Sequence, residues 1–329
     1  MNGRAMFELA DLAEARQVVA RHLAPTALID WPLLSAELGC RALVKHENHN
    51  PTGAFKVRGG LTFVARLAGN DGRRPALISA TRGNHGQSLA FASALYDVPL
   101  TIFVPFGNSQ EKNAAMRAMG ARLVEHGADF EEARQEMQRR AAADKLRMVP
   151  VFHPDLVLGV ATYAMELFER AADLDILYVP VGMGSGIAAC IRVRDLLGLK
   201  TEIVGVQAQG APSYALSFSA GHVVATNSAQ TLADGVATRS PDPEALRIIR
   251  GGAARFVLVS DDEIADAIRL YWSATHNLAE GAGAVALAGA RKDRAAIAGK
   301  KIGLVLSGGN IDAALFRSWV FGDRADDEG

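Results

Sequence analysis

The feature that most constrains the fold is the alternation of short apolar runs with longer stretches of helical spacing. The runs lie at 42–46, 76–80, 100–104, 176–181, 202–207, 255–260 and 302–307. Between them are segments such as "EKNAAMRAMG" and "DEIADAIRLYWSAT", whose apolar positions repeat with the period of a helix. Continuous buried strands that alternate with helices predict a parallel α/β sheet. A first helix is predicted over 8–23.

The bulk properties of the 329-residue chain are those of a globular protein, with 49% hydrophobic residues and a formal net charge of -1. The length suits two domains. The near-neutral charge gives no indication of a nucleic-acid or anionic-membrane surface. No apolar run reaches the roughly 18 residues of a membrane span, and no N-terminal secretion signal is present, so we expect a cytoplasmic protein. Cys40 and Cys190 are predicted to be buried thiols rather than disulfide partners or zinc ligands.

Ligands of parallel α/β sheets bind at the carboxyl ends of the strands, so the loops after the predicted strands are the candidate site. Three of these loops are rich in glycine: "TRGNHGQS" at 81–88, "GMGSG" at 182–186 and "GGN" at 308–310. A fourth, "NPTGAFKVRGG" at 50–60, presents a lysine. We expect the four loops to serve one ligand.

The "GMGSG" segment feeds directly into a predicted helix. Exposed backbone N–H groups and the positive helix end make such a turn suitable for a phosphate. By itself the pattern fits a plain tight turn equally well. It also resembles a dinucleotide fingerprint, but Gly182, Gly184 and Gly186 follow a G-x-G-x-G spacing instead of G-x-G-x-x-G.

Lys56 follows a Pro-Thr-Gly turn and precedes Gly59 and Gly60, which allow close packing of the next helix. Most lysines are solvated surface charges. A lysine that accompanies a phosphate-binding loop instead suggests an aldehyde cofactor held as a Schiff base.

These motifs, taken in order, resemble those of the fold-type II pyridoxal-phosphate (PLP) enzymes, and most closely the serine/threonine dehydratases and serine racemase. The segments that carry the resemblance are "KHENHNPTGAFKVRGG", "ATRGNHGQS", "GMGSG", "TLADGVA" at 231–237, "EGAGAVALA" at 280–288 and "LSGGN". The resemblance implies a tryptophan synthase β-like α/β fold, with two α/β domains and the cofactor in the cleft between them. It further implies a large domain of 1–74 and 152–329, a small inserted domain of 75–151, and a homodimer.

The resemblance also implies roles for the cofactor-binding residues. Lys56 binds PLP and later removes the Cα proton of the substrate, Phe55 packs against the pyridine ring, and Asn84 bonds the phenolic oxygen. Ser307 faces the pyridine nitrogen. The phosphate is held by Gly182, Met183, Gly184, Ser185 and Gly186.

The loop around Asn84 is implied to bind the amino acid substrate through its carboxylate. The residues expected on the substrate side are Thr81, Arg82, Gly83 and His85. For His85 a structural histidine with satisfied hydrogen bonds is an equal alternative. For Arg82 the alternative is an arginine turned outward to a surface carboxylate.

The reaction implied is α,β-elimination of water from a β-hydroxy α-amino acid, which yields a 2-oxo acid and ammonia. A serine at 307, instead of an aspartate, favours loss of a Cβ substituent over transamination. L-Threonine and L-serine are the default substrates, with 3-phenylserine or 3-hydroxyaspartate as variants. The alternatives are a β-replacement enzyme or a racemase of the same fold and, without PLP, an NAD-binding oxidoreductase.

Several positions depart from the family pattern. Arg82 stands where serine racemase has its acid–base serine, which disfavours racemisation because a guanidinium stays protonated. Segment 206–218 has no Asp or Glu, so no divalent metal is expected there. By resemblance, Tyr214 and Phe218 fall in a loop that approaches the substrate side, where they and Val160 would form an apolar wall that suits a bulky β-substituent. Ordinary core positions are an equal alternative for these residues.

Overall fold

The computed structural model describes residues 6–69 and 74–322 of the chain. The helices, in chain order, are α1 (Leu9–Ala20), α2 (Pro32–Leu38), α3 (Lys56–Gly69), α4 (Asn84–Leu95), α5 (Gln110–Ala118), α6 (Phe130–Ala143), α7 (Pro154–Arg170), α8 (Ser185–Leu196), α9 (Ser213–Ala220), α10 (Pro243–Gly252), α11 (Asp261–Thr275), α12 (Gly281–Lys292), α13 (Arg294–Ile297) and α14 (Ala313–Phe321). The strands are β1 (Leu28–Asp30), β2 (Arg41–His46), β3 (Leu77–Ala80), β4 (Leu100–Val104), β5 (Arg122–Glu125), β6 (Arg147–Met148), β7 (Ile176–Pro180), β8 (Glu202–Ala208), β9 (Ala253–Val259) and β10 (Lys301–Leu306). Short 3-10 helices span Glu47–His49 and Asp234–Val236.

The predicted α/β alternation is confirmed, because each predicted apolar run contains a strand and the predicted first helix corresponds to α1. Three strands were not predicted: β1, β5 and β6. Each of them lies at an edge of its sheet. An edge strand is only partly covered, so it does not need the continuous apolar run that marks a central strand.

The chain divides into two compact units, Met1–Ala24 with Asn50–Thr162, and Pro25–His49 with Tyr163–Gly329. This division differs from the predicted domain boundaries, in which only 75–151 formed the smaller part. The difference arises from packing, since Val57 and Leu61 of α3 share one hydrophobic core with Leu77 and Ile102 of the smaller sheet. That core draws the segment with Lys56 into the first unit.

The first unit contains a four-stranded parallel sheet in the order β5-β4-β3-β6. Alternate residues of its central strands face opposite sides, as the two-residue period of a strand requires. Leu77 and Ile102 pack into the core formed with α3, α4 and α5. Ile78 and Phe103 pack against Ala133 and other residues of α6. The sheet is therefore covered on both faces, which explains its unbroken apolar strands.

The second unit contains a six-stranded sheet in the order β1-β2-β10-β7-β8-β9, in which only β1 is antiparallel to its neighbour. Residues 281–290 of helix α12 are all buried. Small residues make this possible, as at Gly289, where an added Cβ would lie 2.7 Å from the Val206 side chain. Cys40 and Cys190 are buried and unpaired with each other, as predicted. None of the helices within 6–69 and 74–322 is long and apolar enough to cross a membrane.

Helix α3 lies unusually close to its neighbours in the first unit, because three glycines remove the side chains at the contacts. A Cβ on Gly59 would lie 2.7 Å from the Leu156 carbonyl oxygen, and one on Gly60 would lie 2.6 Å from the carbonyl oxygen of Ser88. Gly159 of α7 is the third glycine, because a Cβ there would lie 2.2 Å from the carbonyl oxygen of Arg58 in α3. The predicted role of Gly59 and Gly60 in close packing is therefore confirmed.

We expect Gly60→Ala to lower the free energy of unfolding by about 1–3 kcal/mol, because the new methyl group meets backbone atoms that cannot move aside. The measurement is the urea unfolding midpoint. Gly69→Ala on the same helix is the control, since an added Cβ there meets nothing within 4 Å. It should be neutral or slightly stabilising. Equal midpoints for both variants would contradict the packing argument.

Candidate active site

Lys56 is the first residue of α3 and follows a tight turn in which Gly53 has φ +66° and donates its N–H to the Asn50 carbonyl at 2.8 Å. The Lys56 amine lies 4.7 Å from the centroid of the Phe55 ring. Both side chains are half-buried. Lys56 is therefore placed at a helix start, beside an aromatic face, and not on an open surface.

The backbone of Lys56 is joined to helix α4 by a hydrogen bond that the sequence did not predict. The buried Ser88 hydroxyl donates to the Lys56 carbonyl oxygen at 2.5 Å. Ser88 lies one turn after Asn84, the first residue of α4. Lys56 and Asn84 thus begin two helices that are tied together at the Gly60 contact. The sequence around Ser88 contains no pattern that predicts a hydrogen bond to Lys56.

The loop from Thr81 to Gly83 connects β3 to α4 and is internally bonded. The Gly83 N–H donates to the Thr81 hydroxyl oxygen at 3.1 Å, and the Gln87 N–H donates to the Gly83 carbonyl at 3.0 Å. Behind Gly83, the buried stem of Lys112 lies so close that an added Cβ would be 2.5 Å from its Cδ. These hydrogen bonds and the Lys112 stem restrict the conformation of the loop.

His85 is buried next to Asn84, and no residue within 6–69 or 74–322 hydrogen-bonds its Nε2 atom. A structural histidine with both nitrogens satisfied by protein groups is therefore not observed in this part of the chain. Burial, and secondarily the nearby charge of Lys56, lowers the pKa of His85 to about 3. His85 is a neutral imidazole beside Lys56 at any ordinary pH, with one ring nitrogen available to a ligand.

Arg82 is exposed at the tip of the same loop. Its guanidinium makes no salt bridge or hydrogen bond with any residue in the described part of the chain. The alternative of an arginine paired with a surface carboxylate is thus not observed. The exposed arginine Arg74 of the same unit, by comparison, pairs with Asp97.

In the second unit, the loop 182–186 joins β7 to α8, and we call it the phosphate loop. Gly184 adopts the left-handed conformation with φ +91° and caps the helix, while Ser185 and Gly186 form its buried first turn. Gly182 faces the backbone carbonyl of Gly235, in a space that a Cβ would fill. The conformation therefore requires glycine at both positions.

Ser307 follows β10 and lies at the same sheet edge as the phosphate loop, because β10 and β7 are adjacent and parallel. Its buried hydroxyl donates to the Ala282 carbonyl at 3.3 Å. A hydroxyl has one proton, so a bond from Ser307 to a ring nitrogen requires this hydroxyl to turn away from Ala282.

The predicted loop at Tyr214 and Phe218 was wrong, and for Tyr214 the alternative of a core position is the one observed. Both are on helix α9, where Tyr214 is fully buried and its hydroxyl donates to the Met183 carbonyl at 3.0 Å. Phe218 packs against Phe256, with ring centroids 5.3 Å apart. Val160 is also buried.

In the described residues, no group of three or more His, Cys, Asp or Glu side chains is arranged to hold a metal ion.

The family model described as "Pyridoxal-phosphate dependent enzyme" matches residues 19–308. The chain belongs to this family. The predicted fold-type II class, the PLP cofactor and the assignment as an enzyme are thereby confirmed.

Relatives span nearly the whole chain. It is 32% identical to the L-threonine ammonia-lyase of Thermotoga maritima over 314 residues, covering 94% of this chain and 77% of that protein. It is 29% identical to the L-threo-3-hydroxyaspartate ammonia-lyase of Saccharomyces cerevisiae over 313 residues, covering 95% and 96%. The processed threonine deaminase isoform 2 of Solanum lycopersicum has a similar structure, with a TM-score of 0.88, 27% identity and coverage of 97% and 95%.

The residues present fit the cofactor of the family. Lys56 offers an amine against an aromatic face, with a neutral imidazole nearby. The phosphate loop offers backbone N–H groups at a helix start, where a phosphate is favoured. Ser307 offers a buried hydroxyl for a ring nitrogen.

The depressed pKa of His85 predicts a contribution to acid instability. Its folded pKa of about 3 lies below the ordinary 6.5, so the unfolded chain binds a proton that the folded chain does not between these values. Stability is therefore lost as the pH falls through this window. We expect the change in unfolding free energy between pH 6.5 and 5 to be about 2 kcal/mol smaller in His85→Gln than in the wild type.

The measurement is urea unfolding at both pH values and at one fixed cofactor concentration. His46→Gln is the control in the second unit, since burial also lowers the pKa of His46, to about 4. His46→Gln should also make the change in unfolding free energy between pH 6.5 and 5 smaller. It should leave the absorption spectrum of the bound cofactor unchanged. An unchanged pH slope in His85→Gln would show that His85 is protonated in the folded protein.

Proposed function

We propose that the protein is a PLP-dependent dehydratase, an ammonia-lyase that eliminates water from a β-hydroxy α-amino acid to give a 2-oxo acid and ammonia. The observation that carries the proposal is the arrangement of Lys56 at the start of α3, bonded through Ser88 to the helix that Asn84 begins. The names of two relatives support it, because threonine and 3-hydroxyaspartate are both β-hydroxy amino acids.

Each residue has a stated task in this proposal. When bound, PLP supplies the electron sink that makes the Cα proton removable. Lys56 would hold the cofactor, and its Nζ atom would take the Cα proton of the substrate. Asn84 would donate to the ring oxygen, and Phe55 would lie against the ring. His85 stays neutral, so it does not add a second positive charge next to Lys56.

The phosphate loop binds the cofactor phosphate through the N–H groups at the start of α8, and the Ser185 hydroxyl adds a donor. Ser307 hydrogen-bonds the ring nitrogen without protonating it. Lys56 and Asn84 come from the first unit, and the phosphate loop and Ser307 come from the second.

We propose that Thr81 and Gly83 lie at the substrate carboxylate and that Arg82 of the same loop selects the β-substituent. An exposed guanidinium that pairs with no described carboxylate is suited to an acidic group, or by stacking to an aromatic ring, beyond Cβ. L-Threonine, L-serine, 3-hydroxyaspartate and L-threo-3-phenylserine are the candidate substrates. Burial of Tyr214 behind the phosphate loop removes one support for the phenylserine variant.

The alternatives from the sequence are less well supported. A guanidinium at position 82 does not exchange a proton at neutral pH, which argues against racemisation. By resemblance, β-replacement enzymes carry Gly-Asn-Thr where this chain has Gly83-Asn84-His85, which argues against β-replacement. The NAD-binding alternative is set aside, because the chain belongs to a PLP family. A cytoplasmic homodimer that binds neither nucleic acid nor membrane remains part of the proposal.

We expect the purified protein to release 2-oxo acid and ammonia in equal amounts from at least one of the four candidate substrates. Lys56→Ala should lower this release by at least about 10³-fold, because no other described group is placed to take the Cα proton in the proposal. A coupled assay for both products is the measurement. Retained cofactor with no release from any substrate would refute the dehydratase and favour β-replacement or racemisation.

Arg82→Gln tests substrate selection separately. If Arg82 contacts an acidic β-substituent, kcat/KM for 3-hydroxyaspartate should fall about 10–100-fold more than kcat/KM for threonine, because a charge-assisted hydrogen bond is lost. Arg74→Gln is the matched control, an exposed arginine of the same unit that should leave both substrates unchanged. An equal loss for every substrate would instead place Arg82 on the common α-carboxylate.

A further inference from the structure

The peptide between Met183 and Gly184 in the phosphate loop is held from behind by a fully buried tyrosine. The Tyr214 hydroxyl donates to the Met183 carbonyl oxygen at 3.0 Å and accepts the Asp242 N–H at 3.0 Å. Asp242 caps helix α10, and its side chain accepts from the Glu244 and Ala245 N–H groups. The chain of hydrogen bonds therefore runs from a fixed helix start, through Tyr214, to the loop.

The Tyr214 hydroxyl is a permanent donor. Burial is the main reason that the pKa of Tyr214 is raised far above its ordinary value. The hydroxyl keeps its proton throughout the working pH range, and its one donor position is directed to the Met183 carbonyl. This is an unusual arrangement for a loop residue, because an exposed turn carbonyl would otherwise bond to water.

Fixing this carbonyl also fixes the N–H that follows it. The C=O and N–H groups of a trans peptide point in opposite directions, and the described chain contains no cis peptide. With the Met183 carbonyl directed at Tyr214, the Gly184 N–H is directed to the opposite side of the loop. The first N–H groups of a helix have no acceptor within it, so they remain available to an anion.

The other walls of the loop leave little freedom for a different conformation. Gly184 has φ +91°, and a Cβ there would lie 2.9 Å from the Ala245 side chain and 3.1 Å from the Tyr214 hydroxyl. The Thr238 hydroxyl lies 3.7 Å from the Met183 sulfur. Rotation of the Met183–Gly184 peptide would break the hydrogen bond from Tyr214 to the Met183 carbonyl, so Tyr214 opposes it.

We propose that Tyr214 is a positioning residue of the phosphate loop, whose hydroxyl orients the Met183–Gly184 peptide and thereby sets the affinity for the cofactor phosphate. The inference rests on the proposed role of this loop. Tyr214 acts through the backbone of Met183 and Gly184 and not by contact with the reacting atoms.

The test is Tyr214→Phe, which keeps the ring and removes the hydroxyl. The cofactor is removed from the full-length protein with hydroxylamine, and the protein is titrated with PLP and, separately, with pyridoxal, which lacks the phosphate. We expect the affinity for PLP to fall about 10-fold, the effect of one lost hydrogen bond that a charged group depends on. The affinity for pyridoxal should not change.

Tyr178→Phe is the matched control. Tyr178 is also fully buried in the second unit, and its hydroxyl donates to the Asp293 carboxylate at 2.9 Å, not to the loop. It should leave the ratio of PLP to pyridoxal affinity unchanged. A general loss of stability affects both affinities equally and cancels in their ratio. The ratio therefore reports on phosphate binding alone, even if Tyr214→Phe unfolds more easily than the control.

A selective loss of PLP affinity in Tyr214→Phe supports the proposal. An equal loss for PLP and pyridoxal, or no loss for either, overturns it. Neither result bears on the elimination reaction, which is measured at saturating cofactor through the dependence of 2-oxo acid release on Lys56. Conversely, a protein without elimination activity still yields the ratio of affinities.

Discussion

The backbone contacts of helix α3 are the constraint on which the first unit depends. Gly59, Gly60 and Gly159 bring helix backbones together at distances that no side chain allows. Lys56 begins this helix, and the Ser88 hydroxyl adds a bond to its carbonyl. The position of the lysine backbone is therefore decided by rigid main-chain contacts. Under the proposed function, these contacts fix the point from which the lysine side chain reaches the cofactor.

Burial controls the charges around this lysine. His85 lies next to Asn84 and is kept neutral, since its protonated form is costly without solvent or a counterion. Arg82, two residues from Asn84, is exposed at the tip of the loop. The same short loop thus presents a neutral ring beside Lys56 and a cation at its tip. Under the proposed function, the first favours proton transfer at Lys56 and the second is available to the substrate.

The phosphate loop of the second unit uses close backbone approach in a different way. Gly182 and Gly184 are required by the Gly235 carbonyl and by the left-handed turn. Tyr214 and Asp242 then orient the peptide that these glycines leave free. Glycine permits the loop conformation, and a buried hydroxyl selects it. The "TLADGVA" segment, for which the sequence predicted no role, contains Gly235, and the Gly235 carbonyl packs against Gly182.

The sequence by itself determined the α/β class, the central strands, the order of the loops and the residues that match the PLP family. It did so because buried parallel strands need continuous apolar runs and because a Schiff-base lysine and glycine-rich loops carry recognisable local patterns. The edge strands β1, β5 and β6 were not predicted, since a partly exposed strand needs no continuous apolar run. Only the tertiary structure placed α3 in the core of the smaller sheet, Ser88 on Lys56 and Tyr214 behind the phosphate loop. These are contacts between residues distant in the chain, and no local periodicity or turn chemistry encodes which distant partner a buried hydroxyl will meet.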